Sequence, residues 1–170
     1  MRKIKLLILL LVGFIAQGGQ QKQESIKIEF KLLNSTTYLN ENNGYEDQFN
    51  AVVNLKNLQN RNIRVKSKIE FGHKSGPEAF YIEAYDINCN EIDISTSADY
   101  NWLPYLNSSI ELVKGETLTD TICSNGIYAF KNVGRYKLRM VYNPNKMKNE
   151  NLNKVSEIVY SNWDTLTVKK

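Results

Sequence analysis

Apolar side chains fall on every second position through most of this chain. Ile26, Ile28, Phe30 and Leu32 alternate with charged or polar residues, and Phe49, Ala51, Val53 and Leu55 do the same. This is the period of a half-buried β-strand, and no window shows a convincing 3.6-residue helical period. The polar turn Gln59-Asn60-Arg61-Asn62 leads to a third strand carrying Ile63, Val65, Ile69 and Phe71. Phe80 to Ile87 is aromatic and apolar on both faces, as an inner strand would be. Asn88-Cys89-Asn90 reads as a hairpin turn, with Ile92 and Ile94 on a short return strand. Ile110 and Leu112 form a strand stopped by Lys114-Gly115-Glu116, and Leu118 and Ile122 form another before the turn Ser124-Asn125-Gly126. After Asn132-Val133-Gly134 the alternation is strict. Tyr136, Leu138, Met140 and Tyr142 take one face, and Arg135, Lys137 and Arg139 the other. Ile158 to Val168, with Trp163 and Leu166, closes the chain. Regular turn spacing and only three prolines predict an all-β antiparallel sandwich of about seven to nine strands.

The cadence Lys114-Gly115-Glu116, a short strand, a turn, then Gly134-x-Tyr136-x-Leu138 resembles bacterial immunoglobulin-like and fibronectin-type-III-like domains. The resemblance covers most of the chain beyond its first segment and implies an immunoglobulin-like β-sandwich. It also implies that Tyr136 forms a tyrosine corner, its ring on the core and its hydroxyl bonded back to the preceding loop. The antibody-type disulfide pin is missing. Leu138 stands where the second cysteine would be, Val53 lies on the second strand, and the third strand has no tryptophan. A fold of this kind implies no particular activity.

The first residues read as a sorting signal. Arg2, Lys3 and Lys5 form a positive n-region, and Leu6 to Ile15 is an apolar run too short to span a bilayer comfortably. Ala16-Gln17-Gly18 supplies small residues for cleavage after Gly18. The expected organisation is a signal peptide over 1–18 and one sandwich domain over 19–170, with no transmembrane segment after cleavage. An uncleaved anchor is the alternative. Removing the three basic leader residues takes the net charge from +4 to +1, too little for the electrostatic footprint of nucleic-acid binding. Roughly 150 residues remain, enough for one well-buried core.

Cys89 and Cys123 are the only cysteines. In an exported chain an even pair suggests a disulfide, here closing a loop of about 35 residues and adding roughly 4 kcal/mol. Two separate thiols are the alternative, since a sandwich of this size needs no staple. The single histidine, His73, lies in a loop bounded by Gly72 and Pro77 and reads as solvated. One histidine gives little support to triad or zinc chemistry. Asp86-Ile87-Asn88-Cys89-Asn90-Glu91 matches half a calcium loop, but Glu91 replaces the glycine and Ser97 the closing glutamate. A turn capped by Asp and Asn side chains is the better reading. No cofactor is called for, and no carboxylate pair stands out.

The long connection from Ser97 to Ser108 holds Tyr100, Trp102, Leu103, Pro104 and Tyr105. Aromatics of this density either plug an open end of the sandwich or form a contact surface, and Tyr100, Trp102 and Tyr105 are the candidate partner-binding residues. The polar connections 34–48 and 143–156 are secondary recognition candidates. The expectation is an exported, non-catalytic module of the cell envelope or extracellular space that binds a protein or glycan. The rivals are a secreted protease inhibitor of similar cadence, a small hydrolase, and a structural subunit that exchanges an edge strand.

Overall fold

The two-residue alternation folds into facing sheets whose apolar sides meet in one core. The computed structural model describes residues 25–39, 49–69, 71–72, 74–76, 78–92, 109–123, 130, 132–147, 155 and 157–170. The first sheet has three antiparallel strands, in the order β1 (Ile26–Leu32), β3 (Asn50–Asn57) and β9 (Thr117–Cys123). The second runs β2 (Thr36–Tyr38), β12 (Asp164–Lys169), β10 (Gly134–Tyr142), β6 (Phe80–Asp86) and β5 (Phe71–Gly72). In it β11 (Val159–Tyr160) also pairs with β10, and β7 (Glu91–Ile92) with β6. A third pair, β4 (Ile63–Lys66) with β8 (Ser109–Leu112), completes the described strands. Eight of them are four residues or longer, and the architecture is the all-β, mostly antiparallel sandwich that the alternation predicts. No helix among the described residues is long and apolar enough to cross a membrane.

The predicted inner positions are the core. Ile26, Ile28, Phe30 and Leu32 of β1 and Ala51, Val53 and Leu55 of β3 are buried in one cluster with residues of the second sheet. Those are Phe80, Ile82 and Ala84 of β6, Leu138, Met140 and Tyr142 of β10, and Leu166 and Val168 of β12. Each large side chain so removed from water contributes roughly 1.5–3 kcal/mol. The sheets are also tied by side chains that imitate a neighbouring strand. β1 is an edge, and its Phe30 N–H and C=O turn away from β3. Asn162 closes both, accepting from the N–H at 3.0 Å and donating to the C=O at 2.8 Å, while Asp164 accepts from Leu32 N–H at 2.9 Å. A strand edge covered in this way offers less to aggregation.

The tyrosine corner is formed. Tyr136 is buried with its ring 4.7 Å from Phe130, and its hydroxyl donates to the Asn132 carbonyl at 2.7 Å. Tyr136→Phe is expected to cost about 1–2 kcal/mol in denaturant titration, because the part-buried bond between the corner hydroxyl and the Asn132 carbonyl is lost. Burial, with Asp86 adding to it, raises the Tyr136 phenol above its usual value, and burial raises Tyr81 as well. The neutral phenols therefore add stability that is complete below about pH 10 and is lost as pH rises through the raised values. Stability should fall on that alkaline limb, and less steeply in Tyr136→Phe.

Three local expectations are corrected. Ile63 to Phe71 is two strands in different sheets. The chain bends at Ser67 and Lys68, and Ile69 N–H donates to the Asp120 carboxylate of β9 at 3.0 Å where it changes layer. The polar connection after Asn34 contains a strand: β2 runs parallel to β12, with Thr37 opposite Val168 and buried. The closing segment is two strands, because Ser161 interrupts the ladder. Its N–H donates to the Met140 carbonyl and its hydroxyl accepts from Met140 N–H, each at 2.9 Å.

Candidate binding face on the seven-stranded sheet

Turning Phe80, Ile82 and Ala84 inward sends Tyr81, Glu83 and Tyr85 of β6 to the outer face. Turning Tyr136, Leu138, Met140 and Tyr142 inward sends Arg135, Lys137, Arg139 and Val141 of β10 to that same face. Antiparallel register then sets Arg139 opposite Glu83, Lys137 opposite Tyr85, and Val141 between Tyr81 and Tyr160 of β11. Directly opposed side chains are near enough to interact, and here they do.

Arg139 is the centre. Its Nε and Nη2 donate to Glu83 Oε2 at 2.8 and 2.6 Å. Its guanidinium lies 4.2 Å from the Tyr160 ring centroid and 4.4 Å from that of Trp163. Trp163 meets Tyr85 edge to face at 5.6 Å. Glu83 is 6% exposed, so its charge depends on these neighbours, with Lys74 Nζ 4.0 Å from its other oxygen. Lys74 itself is held by Glu91 at 2.6 Å, a hydrogen bond that raises its pKa. Further along, Lys146 Nζ stands 4.9 Å from the Tyr81 ring and donates to the Lys74 carbonyl at 2.6 Å. Burial lowers the Lys146 pKa.

These contacts fix the rings without hiding them. Tyr160 is 47% and Trp163 41% exposed, although both sit on a guanidinium whose own carboxylate is buried. Cation–π contacts of this kind contribute about 0.5–2 kcal/mol each. The result is a rigid aromatic surface whose central charges are already paired. Rings held this way lose little further freedom when a partner lies on them.

Tyr100, Trp102 and Tyr105, the predicted contact residues, lie outside the described residues, as do His73 and the leader 1–18. Cys89 and Cys123 are free and exposed. Cys89 sits in the turn between β6 and β7 with φ 64°, and Cys123 ends β9 in the other sheet. The half calcium loop is a turn. Asp86 Oδ1 accepts from the N–H of Asn88 and of Asn90 at 2.8 Å, and Oδ2 from the Asn90 side chain at 2.8 Å. These bonds lower the Asp86 pKa, the Asn90 side chain first. Among the described residues no group of three His, Cys, Asp or Glu is placed to hold a metal ion. The aromatic face is not among the predicted contact residues. Its signal was Tyr81-x-Glu83-x-Tyr85 at period two with Arg139 on a polar strand face, but the pairing register that joins them is a property of the fold.

No protein-family model matches the chain, and no curated protein matches it. Among solved structures the chain is similar to the CARDB domain of a Pyrococcus furiosus protein, crystallised in complex with di-metal ions. The two are 14% identical, the match covers 85% of this chain and 92% of that one, and the TM-score is 0.37.

Proposed function

We propose that this chain is an exported, non-catalytic binding module of the cell envelope or extracellular space. On this reading residues 1–18 are removed and 19–170 form one domain that recognises a protein or glycan. The observation that carries it is the pair of exposed rings, Tyr160 and Trp163, held on Arg139 by a buried ion pair with Glu83. An aromatic surface held open by a rigid frame is what binding hot spots require. Tyr100, Trp102 and Tyr105 are further candidate partner contacts in this proposal.

The test is retention of purified mature protein by envelope preparations of the parent organism, wild type against Tyr160→Ala with Trp163→Ala. The double variant should lose about 2 kcal/mol or more of binding. Both side chains are near half exposed, so most of the folding stability should remain. Equal retention of both proteins would refute the face as the contact surface. Capture of an active protease, with its activity blocked, would replace this reading with the inhibitor.

A further inference from the structure

The outer face of the seven-stranded sheet continues past the aromatic cluster, and there the charges among the described residues are of one sign. Register sets Arg135 opposite Thr167, and Lys137 between Thr165 and Tyr85. On the next strand pair Lys169 stands opposite Tyr38, with Thr167 opposite Thr36. Arg135, Lys137 and Lys169 are all exposed. Among the described residues none of the three takes part in an ion pair or a side-chain hydrogen bond. Among the described residues the acidic side chains of this face are already taken, Glu83 by Arg139 and Glu91 by Lys74. The exposed aromatic residues of the described chain, Tyr38, Tyr160 and Trp163, all lie on this one face.

We infer that this face docks an acidic protein surface, one carrying carboxylates spaced at about 7 Å beside an apolar or aromatic side chain. That spacing is the separation of Arg135 and Lys137, two residues apart on one strand. The inference rests on the binding reading above and adds the chemistry of the partner. Charge complementarity selects the partner's sign. Three cations spread over two strands among rings and threonines are too few for a polyanionic backbone, whose affinity comes from many phosphate or sulfate contacts. Interleaved rings and cations instead suit a protein contact, with apolar anchoring at Trp163 and Tyr38 and charge at the rim. A second copy stacking this same face on itself would bring like charges together, which argues for a different, acidic surface as the occupant.

The test is selection from a displayed library of random peptides on the immobilised mature protein. The selected peptides are then measured against three proteins. These are wild type, a charge-reversed variant (Arg135→Glu, Lys137→Glu, Lys169→Glu), and Trp163→Ala. Selected peptides should be enriched in Asp and Glu together with an apolar residue. Their Kd should rise about tenfold or more in the charge-reversed variant and should rise with salt. If the reversed protein does not fold, the milder Arg135→Gln, Lys137→Gln, Lys169→Gln protein replaces it, with the same direction expected. Selection without acidic enrichment, no selection at all, or binding indifferent to the three cations overturns the inference. Peptides that need Trp163 but not the cations would sink the acidic partner and leave the binding face standing. Peptides that need neither would sink both. Tight binding of a sulfated oligosaccharide, with no peptide selected, would assign the face to a glycan.

Discussion

Arg139→Ala should destabilise the protein by about 3 kcal/mol, far more than removal of a partly exposed arginine ordinarily does. The reason is the group left behind. Glu83 has a side chain only 7% exposed, and Arg139 supplies both of its short hydrogen bonds at one oxygen. Breaking a buried pair by removing one partner costs about 3–5 kcal/mol, because a charge is stranded away from water. The lower end applies, since Lys74 lies 4.0 Å from the other oxygen and keeps part of the compensation. A double-mutant cycle separates this from lost ring packing. In a Glu83→Gln background the same Arg139→Ala change should cost about 1 kcal/mol, the scale of the two ring contacts alone. Equal losses in both backgrounds would mean that the ion pair adds nothing and the frame of the face is aromatic packing. Arg139→Lys should fall between, because an ammonium cannot place two donors and a flat surface at once.

The strands were legible wherever burial follows a strict period of two. β1, β3 and β10 each bury the side chains that alternation selects, and Tyr136 makes the corner bond that its place after Gly134 implies. Short or edge elements were not. β2 has three residues, too few for a period to register, and it is held by pairing with β12 at the far end of the chain. The split between β4 and β5 depends on Asp120, some fifty positions away, accepting from Ile69. No local pattern carries such a contact.

The site was legible in its materials but not in its assembly. The alternation of β10 places Arg135, Lys137 and Arg139 on one side, and the tyrosines of β6 are plain in the sequence. What brings Trp163 and Tyr160 onto Arg139 is the break in the last strand at Ser161, whose hydroxyl occupies Met140 N–H. The segment after it then returns alongside β10 as β12. An aromatic-rich connection draws attention because its residues are adjacent in sequence. An aromatic face is built from residues as far apart as Tyr81 and Trp163, and only the sheet makes them neighbours.

Asn57→Leu is the second large effect expected, and it tests how the small β4–β8 sheet is held. Asn57 ends β3 and is fully buried, a costly place for an amide unless every group is satisfied. Its N–H donates to the Glu116 carbonyl and its carbonyl accepts from Gly115 N–H, both at 2.9 Å. Its side-chain Nδ2 donates to the carbonyls of Arg61 and Leu112 at 2.9 Å, while Oδ1 accepts from Gln59 N–H at 2.8 Å. One side chain thus joins the turn before β4 to the end of β8. Gly115, at φ 81°, makes the tight turn that brings the β8–β9 connection within reach. Leucine is of similar size, so packing changes little, but three polar partners lose their bonds. Each buried group left unsatisfied costs about 1–3 kcal/mol. Only the Leu112 bond is wholly buried, so the total should be about 3 kcal/mol. Asn54, on the same strand, makes an exposed bond to Thr119, and Asn54→Ala should cost less than about 1 kcal/mol. A two-stranded sheet has little stability of its own. Amides of β4 and β8 should therefore exchange faster with solvent in Asn57→Leu, while those of β6 and β10 change only by the global loss. Uniform acceleration across all strands would show that Asn57 serves the whole sandwich and not this pair.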